Sequence, residues 1–264
     1  MATDKKSYLT LLVLILQLTW SACGTGYKGT NAHNNVDFPA HAESLYSITP
    51  RTWQAVEKAY QLMSKAAQSH NGKSQAYDPL FKAAKYALWL SYNSQQKTEK
   101  SRYASEAMRF AGQAIQIDQN RVEGYYARAI ATGLFAQANK ITARGAMRKI
   151  RSDALKAIKI DATFDSAGPH RLLGALYLRA PGPPAGIGSR RKALEHFEAA
   201  YRIAPAHPEN MNFLAEVYLK LDRIKEATVL LQKALDSSWP DGDLVTKEAR
   251  RKKSLQMLHE IEAK

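Results

Sequence analysis

A short alanine-led signature recurs four times in this chain of 264 residues and constrains its fold more than any other feature. It reads Ala114-Ile115-Gln116-Ile117-Asp118, then Ala157-Ile158-Lys159-Ile160-Asp161, then Ala200-Tyr201-Arg202-Ile203-Ala204-Pro205, and in shortened form Ala234-Leu235-Asp236. The leading alanines lie 43, 43 and 34 residues apart. Apolar residues at three- and four-residue spacing fill the intervals, which is the mark of helices with one buried face. A helical unit returning at such a period cannot bury its apolar side alone and does so by stacking on its neighbours. The expectation is an all-α chain, a single elongated array of about nine to ten antiparallel helices.

In order along the chain, Lys5 and Lys6 precede an apolar run from Tyr8 to Trp20, interrupted by Thr10, Gln17 and Thr19. The run is too short for an ordinary membrane span and has the layout of a secretory signal over residues 1–22. Ser21-Ala22-Cys23 resembles the lipobox of bacterial lipoproteins, in which the cysteine sulfur is joined to diacylglycerol and the cysteine becomes the first mature residue. Cys23 is the only cysteine, so no disulfide framework or paired-cysteine metal site can form within the chain. Gly24, where aspartate would resemble an inner-membrane retention signal, implies the periplasmic face of the outer membrane. Residues 23–46 read as a flexible tether in which His33 and His41 are solvated. A helix is expected from Thr49-Pro50, with threonine as cap and proline in the first turn. Helical repeats then occupy residues 47–242, and a charged helix over 243–264 caps the array.

Two units carry a finer pattern. Leu173, Gly174 and Tyr177, followed by Ala193, Phe197, Ala200 and Pro205, match the tetratricopeptide repeat with an insertion between its two helices. Leu214, Ala215 and Tyr218, followed by Ala227, Leu231 and Ala234, match it without one. Gly174 and Ala193 have little side chain and let paired helices approach closely, Tyr177 and Phe197 fill the space between pairs, and Pro205 ends its helix. These positions are expected to be structural.

The chain carries 38 Lys and Arg against 24 Asp and Glu, a net charge of +14. That excess suits either an anionic partner or a solvated helical surface. No nucleic-acid module is recognisable, and the bases do not alternate with exposed aromatics, so no nucleic-acid partner is expected. Catalysis is not expected either, since HExxH, GxSxG and paired-cysteine spacings are missing. The glycines of residues 182–189 lack the P-loop order, and Pro181, Pro183 and Pro184 remove N–H donors that a phosphate cradle would need. His170, His196 and His207 are expected at different heights of the array, as surface or capping histidines. No metal or cofactor is therefore assigned.

The stretch from Ala167 to Pro205 is the least ordinary. Gly168-Pro169 should open a helix with His170 and Arg171 in its first turn. The loop after that helix packs Pro181, Gly182, Pro183, Pro184, Gly186 and Gly188 into eight residues, more than a bare helical hairpin needs. His170, Arg171 and this loop are the expected partner-binding residues, with a tolerated insertion as the other reading of the loop. The pattern Gly168, Pro169, Arg171, Leu173, Gly174, Tyr177, Pro181, Gly182, Pro184, Gly188, Ser189, Ala193, Phe197 and Glu198, behind a lipoprotein signal, resembles the T component of tripartite ATP-independent periplasmic (TRAP) transporters. The resemblance spans roughly residues 75–240. It implies a non-enzymatic periplasmic scaffold, able to form a homo-trimer, that binds a periplasmic solute-binding protein and assists small-ligand uptake. The alternative is a generic tetratricopeptide scaffold for envelope or outer-membrane assembly.

Overall fold

The computed structural model describes residues 37–48, 50–69, 74–139, 143–239 and 244–263. Among these it shows eleven α-helices and no strand. They are α1 Phe38–Ser47, α2 Trp53–Ser69, α3 Tyr77–Asn93, α4 Lys97–Ile117, α5 Val122–Ala138, α6 Ala143–Ile160, α7 Phe164–Arg179, α8 Arg190–Ile203, α9 Pro208–Leu219, α10 Ile224–Leu235 and α11 Leu244–Glu262. Each packs against the next, and from α3 onward the odd-numbered helices also touch one another. That contact pattern makes an inner row of odd-numbered helices and an outer row of even-numbered ones. It is the expected solenoid, with one helix more than the sequence reading.

The extra helix is α1, and it corrects the tether, which cannot extend to residue 46. Asp37 caps α1 by accepting a hydrogen bond from the Ala40 amide at 3.1 Å, and Pro39 sits in the first turn, where its missing N–H costs nothing. Ala42 is fully buried, and the Tyr46 ring stacks on Tyr86 of α3 with centroids 4.3 Å apart. The glycine- and asparagine-rich composition of the preceding stretch masks the sparse apolar spacing of this helix. His41 is exposed on α1, as expected of a solvated histidine. The start of α2 also moves: Thr52, not Thr49, is its cap, accepting from the Ala55 amide at 3.2 Å. Thr49 lies outside the described residues, as do residues 1–22, Cys23 and His33.

Helix α5 shows why the inner row holds together. Gly124, Ala127, Ala129, Ala131 and Gly133 keep it thin, so other helices close on it from nearly every side and most of its residues are buried. The outer helices are amphipathic instead. In α6, Ala146, Ile150, Ala154 and Ala157 are buried and Arg148, Lys149, Arg151 and Lys159 are exposed. The repeat positions behave as packing residues. Ala193, Phe197 and Ala200 are fully buried, and Phe197 stacks on Phe213 of α9 at 5.3 Å and 12°.

Candidate functional site

Helix α7 begins in an unusual way. Asp165, Ser166 and Ala167 have φ values of 51°, 52° and 70°, so three consecutive residues with side chains are left-handed before the right-handed helix resumes at Gly168. Each such residue costs roughly 1–2 kcal/mol and needs local compensation. Gly168 supplies room, because a Cβ there would lie 2.3 Å from the Tyr126 hydroxyl. Arg171 supplies the bonds. Its guanidinium donates to the Ser166 carbonyl at 2.6 Å, to the Asp165 carbonyl at 2.8 Å, to Asp165 Oδ2 at 2.9 Å and to Asn210 Oδ1 at 2.9 Å. Glu209 Oε2 lies 3.6 Å from its Nε.

The same hub ties four helices together. Tyr126 of α5 donates to Asp165 Oδ2 at 2.8 Å. Asn210 of α9 donates to the Ala200 and Ala204 carbonyls at the end of α8, both at 2.9 Å. Arg171 is only 2% exposed, which settles one expectation against the sequence reading. It is not a partner-contacting residue, because no partner can reach it. A planar fork of donors is the side chain best suited to hold two turned carbonyls and a carboxylate at once, and that is its use here.

Burial governs the charges around this hub. It pushes the Glu209 carboxyl up to about 7, against the pull of Arg171 and Arg250. The His207 imidazole is pushed down to about 2, first by burial and then by the same two guanidinium groups. Glu209 keeps its proton in the fold through the range from about pH 4.5, where the unfolded chain releases it, to about pH 7. This group therefore contributes stability below about pH 4.5 that is lost as the pH rises to about 7. Glu209→Gln is expected to match the wild-type chain near pH 5 and to exceed it near pH 8 by up to about 3 kcal/mol. Urea melts at the two pH values measure it.

His170 and His196 meet, contrary to the expectation that the histidines lie at different heights. Their Nδ1 atoms are 3.1 Å apart, one donating to the other, and the His196 ring stacks on Tyr177 at 5.7 Å. Antiparallel pairing of α7 and α8 brings together residues that sequence spacing alone keeps apart. Arg151 of α6 joins the cluster by donating to the Tyr177 hydroxyl at 3.1 Å. His207 stands elsewhere, against Trp239 at 4.9 Å. His170 is half-buried, so of the two expected contact residues in the first turn neither is presented openly. Among the described residues, no group of three or more His, Cys, Asp or Glu side chains could hold a metal ion.

The 181–188 loop divides in two. Gly182, Pro183, Pro184 and Ala185 are exposed, while Pro181, Gly186 and Gly188 are half-buried and shape the turn. The Gly188 amide donates to the Pro181 carbonyl at 2.8 Å, and the Ser189 amide to the Tyr177 carbonyl at 2.8 Å. A Cβ on Gly188 would lie 2.0 Å from the Ala180 carbonyl oxygen, so only glycine fits there. The loop is a fixed projection on the end of α7.

A second surface is not apparent from the sequence. A groove of about 590 Å³ opens across α8, α9 and α10. Leu214 and Leu230 form its floor, Tyr201, Tyr218 and Val229 its walls, and Glu198, Arg202, Lys225 and Glu226 add charges of both signs. Val229 is 49% exposed, a large apolar side chain facing water. One signal does exist in the sequence, since Val229 falls off the buried Ala227, Leu231 and Ala234 stripe of α10. Only its three-dimensional neighbours turn that into a groove.

Comparison with known proteins agrees with this architecture. Residues 48–177 match the family described as regulator of microtubule dynamics protein 1-3, and residues 188–238 match a tetratricopeptide-repeat family. No curated protein sequence matches the chain. Among solved structures it is similar to TTC0263, a thermophilic tetratricopeptide-repeat protein of Thermus thermophilus, at 20% identity and a TM-score of 0.59, covering 83% of this chain and 98% of that one. It is also similar to the protein MamA, at 16% identity and a TM-score of 0.50, covering 76% of this chain and 89% of that one. At those identities the likeness speaks for the fold.

Proposed function

We propose that this tetratricopeptide-repeat protein is a non-enzymatic scaffold of the bacterial cell envelope. In this reading it is anchored by lipid at Cys23 on the periplasmic face of the outer membrane and binds a periplasmic solute-binding protein to assist small-ligand uptake. A tetratricopeptide solenoid suits protein–protein contact. The observation that carries the reading is the groove of α8, α9 and α10, which offers an apolar floor with a charged rim inside the matched repeat at 188–238. That shape suits an amphipathic helix or an extended segment of a protein partner. The exposed tip of the 181–188 loop is a second contact, and the TRAP T-component pattern over 168–198 supplies the partner class.

Affinity purification of the full-length chain from envelope extracts is expected to recover a solute-binding protein, and repeated failure to recover one would remove the transporter assignment. Cys23→Ala is expected to abolish metabolic labelling with palmitate and to release the chain from the membrane fraction; labelling that persists in the variant contradicts the anchor. A second reading is favoured by the match over residues 48–177, namely that the chain acts on microtubules, since that family is described as a regulator of microtubule dynamics. Co-sedimentation of the chain with microtubules, and no capture of a solute-binding protein, would select it.

A further inference from the structure

The net charge of +14 is unevenly placed, and one outer helix carries a face of a single sign. Along α6, Arg148, Ser152, Leu155 and Lys159 follow one another at spacings of four, three and four, so they form one stripe about 16 Å long. All four are exposed; Arg151, at the edge of the stripe, is exposed too but gives its Nε to the Tyr177 hydroxyl at 3.1 Å. The helix has one acidic residue, Asp153, and it points away. Asp153 is 3% exposed and accepts two hydrogen bonds from Arg128 of α5, at 2.7 and 2.8 Å. No carboxylate is therefore left on the outer face of α6 to neutralise its bases. Leu155 sits in the middle of them, 42% exposed.

What marks this face is the combination of an exposed Leu155 with bases of one sign on either side of it. The stripe does not offer a concave pocket of the kind α8, α9 and α10 present to a protein. We infer that the outer face of α6 is a peripheral membrane contact that lies on an anionic lipid surface, with Leu155 entering the headgroup layer. Arg148 and Lys159 have long aliphatic stems that let their charges reach headgroup phosphates while Leu155 leaves water. Charge complementarity favours an anionic bilayer over a zwitterionic one, and the attraction falls off within a Debye length, so it is salt-sensitive. The contact is independent of the lipid anchor at Cys23 and of the groove, and would orient the solenoid on the membrane whichever partner it holds.

The test uses the full chain carrying Cys23→Ala, which excludes lipidation. It is mixed with vesicles of three parts phosphatidylcholine to one part phosphatidylglycerol, and separately with phosphatidylcholine alone. Co-sedimentation is expected on the anionic vesicles at low salt and to be at least about tenfold weaker on the neutral ones. Reversal at Arg148→Glu and Lys159→Glu together is expected to remove that preference. Reversal of two exposed lysines elsewhere, Lys58→Glu and Lys233→Glu, is expected to keep most of it. Because Cys23 is the only cysteine, Cys23→Ala with Leu155→Cys carries a single thiol for an environment-sensitive fluorophore. Its emission is expected to shift to the blue on anionic vesicles only. Equal binding to both vesicle types, equal losses from the two charge reversals, or a bound chain whose probe still reports water would each overturn the inference.

Discussion

Arg171→Met is expected to cost about 3–5 kcal/mol of stability, the range for breaking a buried ionic network by removing one partner. Methionine fills much of the same space, so the loss measures hydrogen bonds and charge rather than a cavity. Without the guanidinium, the carbonyls of Asp165 and Ser166 and the Asp165 carboxylate lose donors at 2.6–2.9 Å, and the carboxylate is left buried. The left-handed turn at 165–167 then loses most of the side-chain bonds that offset its strain, keeping those from Tyr126 and Asn210. At roughly 2–4 °C per kcal/mol for a chain of this size, the melting temperature should fall by about 6–20 °C. Thermal unfolding followed by circular dichroism measures it. A variant that melts with the wild-type chain would mean that Arg171 is dispensable to the fold.

Phe197→Ala is the second large loss, about 3–5 kcal/mol for emptying a fully buried aromatic site. Phe197 occupies the gap that Gly174 leaves: a Cβ at 174 would lie 2.6 Å from Phe197 Cε1 and 2.7 Å from Cδ1. The ring's other face is committed to Phe213, so it cannot move aside freely. Gly174→Ala alone should therefore cost about 1–3 kcal/mol through overpacking. The two losses should not add. In the double variant the alanine at 174 meets an emptied site instead of a ring, and a double-mutant cycle in urea should return a coupling of about 1 kcal/mol or more in the stabilising direction. Additive losses would show that the two positions do not share one contact.

Much of this scaffold is legible in the sequence. The alanine-led signature marks real helix ends: Ala114, Ala157, Ala200 and Ala234 are all buried where α4, α6, α8 and α10 close. Gly174 and Phe197 are readable as a packing pair because a repeat fixes which small residue faces which large one. Helix α1 escapes such a reading because its apolar residues are few and lie in a polar neighbourhood. Arg171 reads as a contact residue, since an arginine in a first turn looks exposed until the left-handed turn before it folds back over it. The meeting of His170 and His196, and the groove that Val229 helps to wall, depend on which helices pack side by side. Sequence periodicity gives the face of each helix, but not the neighbour that covers it.

The proposed scaffold role is tested most directly by capture of a solute-binding protein, the proposed partner, by two variants compared with the wild-type chain. The first is Tyr218→Ala with Val229→Glu, which alters the groove walls without touching the buried Arg171 hub. The second is Arg148→Glu with Lys159→Glu, which changes charge to the same or greater extent on α6. Equal helix content in all three chains, measured by circular dichroism, is the condition for comparing them. The account predicts that the groove variant loses capture at least about tenfold, since truncation of central aromatic anchors commonly costs about 2 kcal/mol or more, on the order of a thirtyfold loss, while the α6 variant keeps it. Undiminished capture by the groove variant would contradict it.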